Sequence, residues 1–244
     1  MNQQELVLPV NKIKASVKSP RKLIIYSKPK VGKTSALANI ENSLILDLEK
    51  GTDFLDAVKV QINTLDELKA VGEAIKAKGK PYKYLIVDTV TKLEDMCLSL
   101  AVQLYKKTPM GKNFAGDNVL MLPNGSGYLY LREAMDLITS YLETLADRII
   151  YSGHIKLKSL EKNGKEVSAL DLDLTGKIKG MMSADADAIG MLYREGNKAI
   201  LSFKTTDEVI CGARPNHLKN QEIVLSQMNE KNELETYWDK VFID

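Results

Sequence analysis

From Leu23 onward, runs of apolar residues alternate with segments in which apolar residues recur every three or four positions. The apolar runs predict buried strands at 23–26, 44–48, 84–88 and 148–153, and a shorter alternating strand at 58–62. The helical periodicity predicts helices beginning near 34 and over 64–78, 89–107 and 131–145. Continuous apolar strands separated by amphipathic helices indicate a mostly parallel sheet covered by helices on both faces.

The second predicted helix carries its own boundary signals. Thr64 and Glu67 have the Thr-x-x-Glu spacing of a capping box, in which the two side chains satisfy free backbone N–H groups at a helix start. Gly79 and Pro81 follow the last apolar residue of the period and predict the end of this helix.

The pattern becomes weaker after His154. Residues 156–180 are rich in Lys, Asp and Gly, and they predict no element beyond a hairpin around Asn163-Gly164. Residues 188–193 and 199–204 flank a turn and predict a C-terminal antiparallel hairpin. The end, 216–244, is interpreted as polar and partly helical. We therefore expect an N-terminal arm over 1–20, an α/β core over 21–215, and an extension of the same domain over 216–244.

Composition fits one α/β domain. The chain has 244 residues, of which 44% are hydrophobic and 27% charged, and it contains no apolar run long enough for a transmembrane helix. No secretory signal is visible, and Cys97 and Cys211 lack the spacing of metal ligands, so we expect a cytoplasmic protein with no membrane association. A net charge of +2 neither requires nor excludes nucleic acid.

Residues Ser27 to Thr34 nearly match the phosphate-binding loop G-x-x-x-x-G-K-[ST], with Ser27 where the first Gly belongs. In that loop backbone N–H groups surround a phosphate, the Lys reaches the β- and γ-phosphates, and the Thr hydroxyl binds Mg²⁺. The alternative is an ordinary surface turn, but the strand before the loop and the helix after it favour a nucleotide site. The residues predicted to bind ATP here are Ser27, Pro29, Lys30, Val31, Gly32, Lys33, Thr34 and Ser35.

Asp88 ends an apolar strand 55 positions after Lys33. Ligands of open α/β sheets lie beyond the carboxyl ends of the strands, so Asp88 and the loop are expected at one edge, with Asp88 and Thr34 holding Mg²⁺. The alternative is that Asp88 caps the following helix.

Two further polar residues end predicted strands. Glu49 follows the second strand, at the usual location of the base that orients the attacking water, although a solvated strand end is the alternative. His154 ends the fifth strand and suits a sensor of the γ-phosphate, with a surface or interface histidine as the alternative. Lys33, Glu49 and His154 are the predicted catalytic residues.

Taken in order, these motifs resemble the RecA-like P-loop ATPase core, and more closely the compact phage and prophage RecA-like proteins related to single-strand annealing proteins. The matching segments are Lys30–Thr34, Asp47–Asp53, Val87–Thr89, His154, Ala186-Asp187 and Arg214. Within this resemblance Ser27 replaces the first Gly, His154 replaces the usual Gln sensor, and no N-terminal polymerisation domain precedes the core.

The resemblance implies roles that the residues alone do not. It implies that Asp53 contacts the adenine edge, that Arg214 belongs to a nucleotide site, and that His154 couples the γ-phosphate to the loop after it. It also implies magnesium-dependent ATP hydrolysis on single-stranded DNA in phage recombination or annealing, inside the cytoplasm of a bacterial host. The implied partners are single-stranded DNA, further copies of the chain, and a single-strand DNA-binding protein.

Two segments combine the positive charge and aromatic rings that single-strand binding requires, namely 105–128 and 156–179. A solvated charged loop is the alternative for both. Two other functions stay open: a nucleotide-gated DNA- or protein-binding module with little turnover, and a small-molecule kinase. The kinase is disfavoured because it needs an arginine-rich lid, and the arginines here are scattered.

Overall fold

The computed structural model describes residues 10–162, 165–206 and 209–244. Its strands are β1 (Lys22–Ser27), β2 (Ser43–Asp47), β3 (Lys59–Gln61), β4 (Tyr84–Asp88), β5 (Arg148–Lys162), β6 (Lys165–Leu172), β7 (Ala188–Glu195), β8 (Lys198–Ser202), β9 (Gly212–Ala213), β10 (Glu222–Met228) and β11 (Leu234–Thr236). Its α-helices are α1 (Lys33–Ala38), α2 (Leu65–Ala77), α3 (Val90–Lys106), α4 (Gly127–Glu143) and α5 (Gly176–Asp185).

These strands form one mixed sheet in the order β11-β10-β8-β7-β1-β5-β4-β2-β3. The part from β7 to β3 is parallel, whereas β8, β10 and β11 continue the sheet as antiparallel strands. Strand β5 runs on beyond the sheet and pairs there with β6 in an antiparallel hairpin. The mostly parallel α/β architecture with antiparallel C-terminal strands confirms the predicted fold class.

The sheet is buried on both faces because neighbouring residues of its central strands enter different cores. In β1, Ile24 and Tyr26 join the core formed with α2, α3, α4 and α5. Leu23 and Ile25 join the opposite core, which contains α1 and the segment around Trp238. Continuous apolar strands follow from this two-sided burial.

The predicted start of α2 is confirmed in detail. The Glu67 backbone N–H donates to Thr64 Oγ1 at 3.2 Å, and Glu67 Oε2 accepts from the Asn63 backbone N–H at 2.7 Å. Gly79 follows the helix with a φ of +71°, a conformation that favours glycine, and so ends it as predicted.

The described residues of 156–180 contain more regular secondary structure than the sequence indicated. The β5–β6 hairpin extends far beyond the predicted turn, whose residues Asn163 and Gly164 lie outside the described part of the chain. Helix α5 was not predicted, because Gly180 interrupts its sequence and its buried apolar residues are few, chiefly Ile178 and Met182.

The expectation that 216–244 is partly helical is largely wrong. Strands β10 and β11 extend the sheet there, and the helical content is one 3-10 turn at Trp238–Lys240. The sequence does not predict these strands because they lie at a half-exposed edge of the sheet and carry many polar residues, although Ile223 and Leu225 face the core. Of the predicted N-terminal arm, residues 1–9 lie outside the described residues, and 10–20 contain neither helix nor strand.

In the portion of the chain that the structure describes, no helix combines the length and apolar character needed to span a bilayer.

Candidate functional site

The polar residues predicted from the strand ends lie together at one edge of the sheet. The parallel register aligns Ser27 with His154, Asp88 with Ser152, and Asp47 with Asp88. Since these strands all run in the same direction, their carboxyl ends form a common rim above which a ligand fits.

The loop between β1 and α1 has the backbone of an anion-binding turn. Lys30 and Gly32 have positive φ angles of 66° and 95°, the left-handed conformation that recurs in anion-binding turns. Helix α1 begins directly after this loop, without a side-chain cap and without an acidic residue in its first turn. Its first N–H groups therefore remain available to an anion.

Ser27 is accommodated without disturbing the loop. Its side chain is fully buried, and its hydroxyl donates to the Lys28 carbonyl oxygen at 2.9 Å. The serine therefore satisfies its own polar group at a position where the usual motif carries glycine.

Lys33, Thr34 and Asp88 form a buried polar cluster with Ser152. Lys33 Nζ lies 3.4 Å from Asp88 Oδ1 and 2.9 Å from Ser152 Oγ. The Thr34 hydroxyl donates to Asp88 Oδ2 at 2.8 Å, and the Ser152 hydroxyl donates to Asp88 Oδ1. The cap of α3 is Thr89, whose Oγ1 accepts from the Lys92 N–H, so the alternative role of Asp88 as a helix cap does not apply.

The side chains of Thr34 and Asp88 fit a magnesium ion. A hydroxyl and a carboxylate oxygen 2.8 Å apart are the hard oxygen ligands that Mg²⁺ prefers, and such ions commonly take only one or two protein ligands beside phosphate and water. Among the described residues there is no group of three or more His, Cys, Asp and Glu side chains suited to a metal. A bound nucleotide would accordingly supply further ligands.

Glu49 and His154 contact each other at the same rim. His154 Nε2 lies 3.0 Å from both carboxylate oxygens of Glu49, and the Thr89 hydroxyl donates to Glu49 Oε1 at 2.6 Å. Both Glu49 and His154 are about one-third exposed, so water reaches the carboxylate while its orientation is fixed.

Asp47 holds the turn that carries Glu49. Its carboxylate accepts from the backbone N–H groups of Glu49, Gly51 and Thr52 and from the Thr52 hydroxyl. Burial acts to raise the pKa of Asp47, but the Thr52 hydroxyl and these N–H donors outweigh it and bring the pKa below its ordinary value. Asp47 is thus a structural anchor for the acidic residue beside it.

We expect Asp47→Asn to lower the free energy of unfolding by about 2 kcal/mol at neutral pH, because an amide NH₂ would then face several donors. Since the folded-state pKa is lowered, the stabilisation is complete above the unfolded value of 3.8 and is lost as pH falls through the folded value. Urea unfolding should give a constant difference in free energy of unfolding between wild type and Asp47→Asn from about pH 5 to pH 8, and a smaller difference below about pH 4. Asp56→Asn, an exposed change elsewhere in the connection between β2 and β3, serves as control. Equal stability of the two variants would contradict the anchoring role.

An open cavity of about 370 Å³ unites most of the predicted site. Its walls include these predicted residues: Ser27, Pro29, Lys30, Val31, Gly32, Lys33, Thr34, Ser35, Glu49, Asp88 and His154. Phe54, which the sequence did not single out, also lines it with a fully exposed ring.

Two predicted nucleotide-binding residues lie outside this cavity. Asp53 is exposed and accepts from Gln61 Nε2 of the edge strand β3 at 2.6 Å. Arg214 lies at the opposite edge, where the parallel strands begin. Strand β9 pairs there with the first residues of β7, and Arg214 contacts Asp187 and the Ala184 carbonyl oxygen. Within one chain Arg214 therefore does not reach the phosphate loop.

Ser152 and Thr89 are site residues that the sequence reasoning missed. Ser152 is the polar residue that interrupts the apolar part of β5, and its alignment with Asp88 on the neighbouring strand β4 was the available signal. Thr89 carried no signal separable from its place directly after Asp88. Ser152 contacts both Lys33 and Asp88, while Thr89 contacts Glu49.

Comparison with known proteins gives one family. A family model described as AAA domain (AAA_24) matches residues 19–215. A search of curated proteins gives no significant match. Similar solved structures include a KaiC-like protein from the hyperthermophilic archaeon Pyrococcus horikoshii OT3, with 14% identity, 89% of each chain covered and a TM-score of 0.45. Another is the RadB recombinase, with 10% identity, 90% of this chain and 92% of that chain covered, and a TM-score of 0.46.

Proposed function

The chain belongs to the AAA domain family, and from that premise we propose that it is a magnesium-dependent, RecA-like ATPase that acts on single-stranded DNA in phage recombination or annealing. The observation that carries the ATPase part is the convergence of Lys33, Thr34, Asp88, Glu49 and His154 on one cavity. A phosphate loop, a metal-site carboxylate and a second, water-accessible carboxylate are the groups that ATP hydrolysis requires.

Each of these residues has a role in that reaction. The N–H groups of the phosphate loop and Lys33 hold the β- and γ-phosphates, and Lys33 offsets the negative charge that develops on them. Thr34 and Asp88 would hold Mg²⁺, which supplies further charge neutralisation when bound. Glu49 orients a water molecule and takes its proton as the water oxygen bonds to the γ-phosphorus and the bond to ADP breaks.

His154 connects this reaction to the rest of the molecule. Its ring contacts Glu49, and its backbone carbonyl oxygen accepts from the Asp173 N–H at 2.9 Å. Thr91 at the start of α3 donates to the Asp173 carbonyl oxygen at 3.1 Å. A change at the γ-phosphate that moves His154 would therefore act on the segment that leads into α5.

Phe54 is proposed to stack on the nucleotide base. A fully exposed aromatic ring at the wall of the cavity offers the flat apolar surface that a base requires. Phe54→Ala should raise the Kd for ATP about tenfold, whereas Phe54→Tyr should leave it near the wild-type value.

The measurement for Phe54 is a titration of ATP and of inorganic triphosphate against both variants. Triphosphate has no base, so its affinity should not change in either variant. Equal ATP affinity of Phe54→Ala and the wild type would show that this ring does not contact the base.

Support for the DNA part comes from a groove in which the two predicted DNA-binding segments meet. A cavity of about 480 Å³ is lined by Gly125 and Tyr128 from one segment and by Thr175, Gly176, Lys177 and Ile178 from the other, together with Leu129 and Arg132. Helices α4 and α5 begin at this groove, and neither has an acidic residue in its first turn. The groove thus combines the N-termini of two helices that lack a side-chain cap with two cations, which suits phosphates.

The groove also contains stacking surface. Tyr128 is 47% exposed, whereas Tyr105 packs against Phe114 and Tyr130 and is not free to stack. Of the lysines predicted to bind DNA, Lys156 and Lys179 are paired with Asp173 and Asp171. Arg132 and Lys177 are therefore the cations on which we base the prediction.

Replacing both Arg132 and Lys177 by alanine should weaken single-stranded DNA binding about tenfold or more at low salt. Each cation that contacts a phosphate contributes about one unit to the dependence of log affinity on log salt, so the slope should fall by about two. Anisotropy titrations of a labelled oligonucleotide at several salt concentrations measure both quantities. Lys219→Ala, an exposed lysine outside the groove, is the control, and an unchanged slope in the double variant would contradict this DNA surface.

Assembly into a homo-oligomer, a single-strand DNA-binding protein as partner, and a host cytoplasm stay predictions from the resemblance. In such an oligomer, Arg214 would contact nucleotide only on a neighbouring copy, because within its own chain it lies at the opposite edge of the sheet.

A further inference from the structure

The protein contains one tryptophan, Trp238, and its indole bonds to the helix that follows the phosphate loop. Trp238 is 8% exposed, and its Nε1–H donates to the Ala36 carbonyl oxygen at 2.9 Å. Ala36 lies in α1, two residues after Thr34. This contact joins residues 202 positions apart in the chain.

Helix α1 needs external support. It has six residues, and so short a helix has little stability of its own. The Ala36 N–H donates to the carbonyl oxygen of Gly32, in the phosphate loop, at 3.0 Å. The carbonyl oxygen of the same residue accepts from the Trp238 indole. The Trp238 indole therefore holds in place the residue whose N–H bonds to Gly32 of the phosphate loop.

Apolar packing reinforces this hydrogen bond. Trp238, Val241 and Phe242 lie in the same buried core as Leu37 of α1, and Val31 of the phosphate loop packs against that core. The ring of Phe242 stacks on Trp238 with centroids 6.0 Å apart.

The last residues of the same C-terminal segment bond to Ser19 and to β5. The Ile243 N–H donates to Ser19 Oγ at 2.9 Å, and Arg148 Nη2 lies 2.6 Å from Asp244 Oδ1. Residues 237–244 thus form a strap that is held by β5 at one point and by α1 at another.

We propose that the strap, residues 237–244, positions the phosphate loop through the Trp238–Ala36 hydrogen bond, so that nucleotide binding and the packing of the strap on α1 stabilise each other. Trp238 is a positioning residue here, since it touches no reacting atom. The coupling is reciprocal: if the strap improves nucleotide affinity by some factor, bound nucleotide stabilises the strap by the same factor. The nucleotide half of this inference rests on the proposed function.

The test compares Trp238→Phe, which keeps an apolar ring but loses the N–H, with Tyr237→Phe as matched control. Tyr237 bonds Glu235 and Gln227, so its variant loses hydrogen bonds of the same segment without affecting Ala36. In ligand-free protein, hydrogen exchange over residues 33–40 should be about fivefold faster in Trp238→Phe and unchanged in Tyr237→Phe. The Kd for a fluorescent ADP analogue with Mg²⁺ should rise about fivefold in Trp238→Phe only.

A third measurement uses the wild-type tryptophan itself. Titration with unlabelled Mg-ADP should change the Trp238 emission, and the change should be half complete at the Kd found by competition against the analogue. Wild-type exchange and affinity in Trp238→Phe would overturn the inference, as would a merely lower melting temperature with both quantities unchanged. If the wild type binds no Mg-ADP while exchange in Trp238→Phe is faster, the positioning of α1 stands and the proposed nucleotide function fails.

Discussion

Glu49→Gln is expected to lower ATP turnover about a hundredfold or more while leaving the Kd for ATP within about threefold of wild type. The amide preserves the shape, and its carbonyl oxygen keeps the contacts of Oε1 with Thr89 and His154, but it does not take a proton from water. Phosphate release and equilibrium binding of ATP measure the two effects separately, and a loss confined to turnover indicates a group that acts in the transition state.

The control for Glu49→Gln is Glu41→Gln, an exposed change away from the cavity. It should leave both binding and turnover unchanged. Turnover of Glu49→Gln at the wild-type rate would remove Glu49 from the mechanism, and a parallel loss of binding would indicate that its role is structural.

Lys33→Ala should abolish turnover and raise the Kd for ATP by about thirtyfold or more, because the ammonium is the charge that faces the phosphates. The variant should also be less stable by about 2 kcal/mol, since Asp88 is 3% exposed and loses its nearby cation. Two effects with different causes are thus expected from one substitution.

The double variant Lys33→Ala/Asp88→Asn separates these effects. Removing the buried charge together with its partner should restore the free energy of unfolding toward wild type, while ATP binding stays lost. Urea unfolding of both variants measures the stability effect, and ATP titration of both measures the binding effect. Wild-type ATP affinity in Lys33→Ala would show that the loop does not bind phosphate.

The central sheet was predictable because its strands are buried on both faces. Leu23 to Tyr26 and Tyr84 to Val87 are continuous apolar runs, which surface segments do not tolerate, and the turns between them carry strong Gly and Pro signals. Helix α5 and the C-terminal strands were not predictable by the same means, since they bury only part of their surface and carry polar residues on the rest.

Part of the site was predictable from the sequence because the carboxyl ends of parallel strands lie together. Asp88 is the last residue of β4, His154 is the last residue of β5 that pairs in parallel, and Glu49 lies two residues after β2. These strand ends all lie at one edge of the sheet because the strands run parallel. Arg214 and Asp53 were assigned from motif resemblance, which carries no information on the edge or the direction of a side chain. The contact of Trp238 with Ala36 depends on residues 202 positions apart, and no local pattern indicates it.

The most direct test of the central claim is the rate at which the wild-type protein releases phosphate from ATP, measured with and without Mg²⁺ and with and without single-stranded DNA. We predict hydrolysis that requires Mg²⁺ and that single-stranded DNA accelerates, with the acceleration lost at high salt. Phosphate release that DNA does not affect would contradict the DNA part and favour a nucleotide-gated binding module. No binding and no hydrolysis of ATP in the presence of Mg²⁺ would contradict the account as a whole.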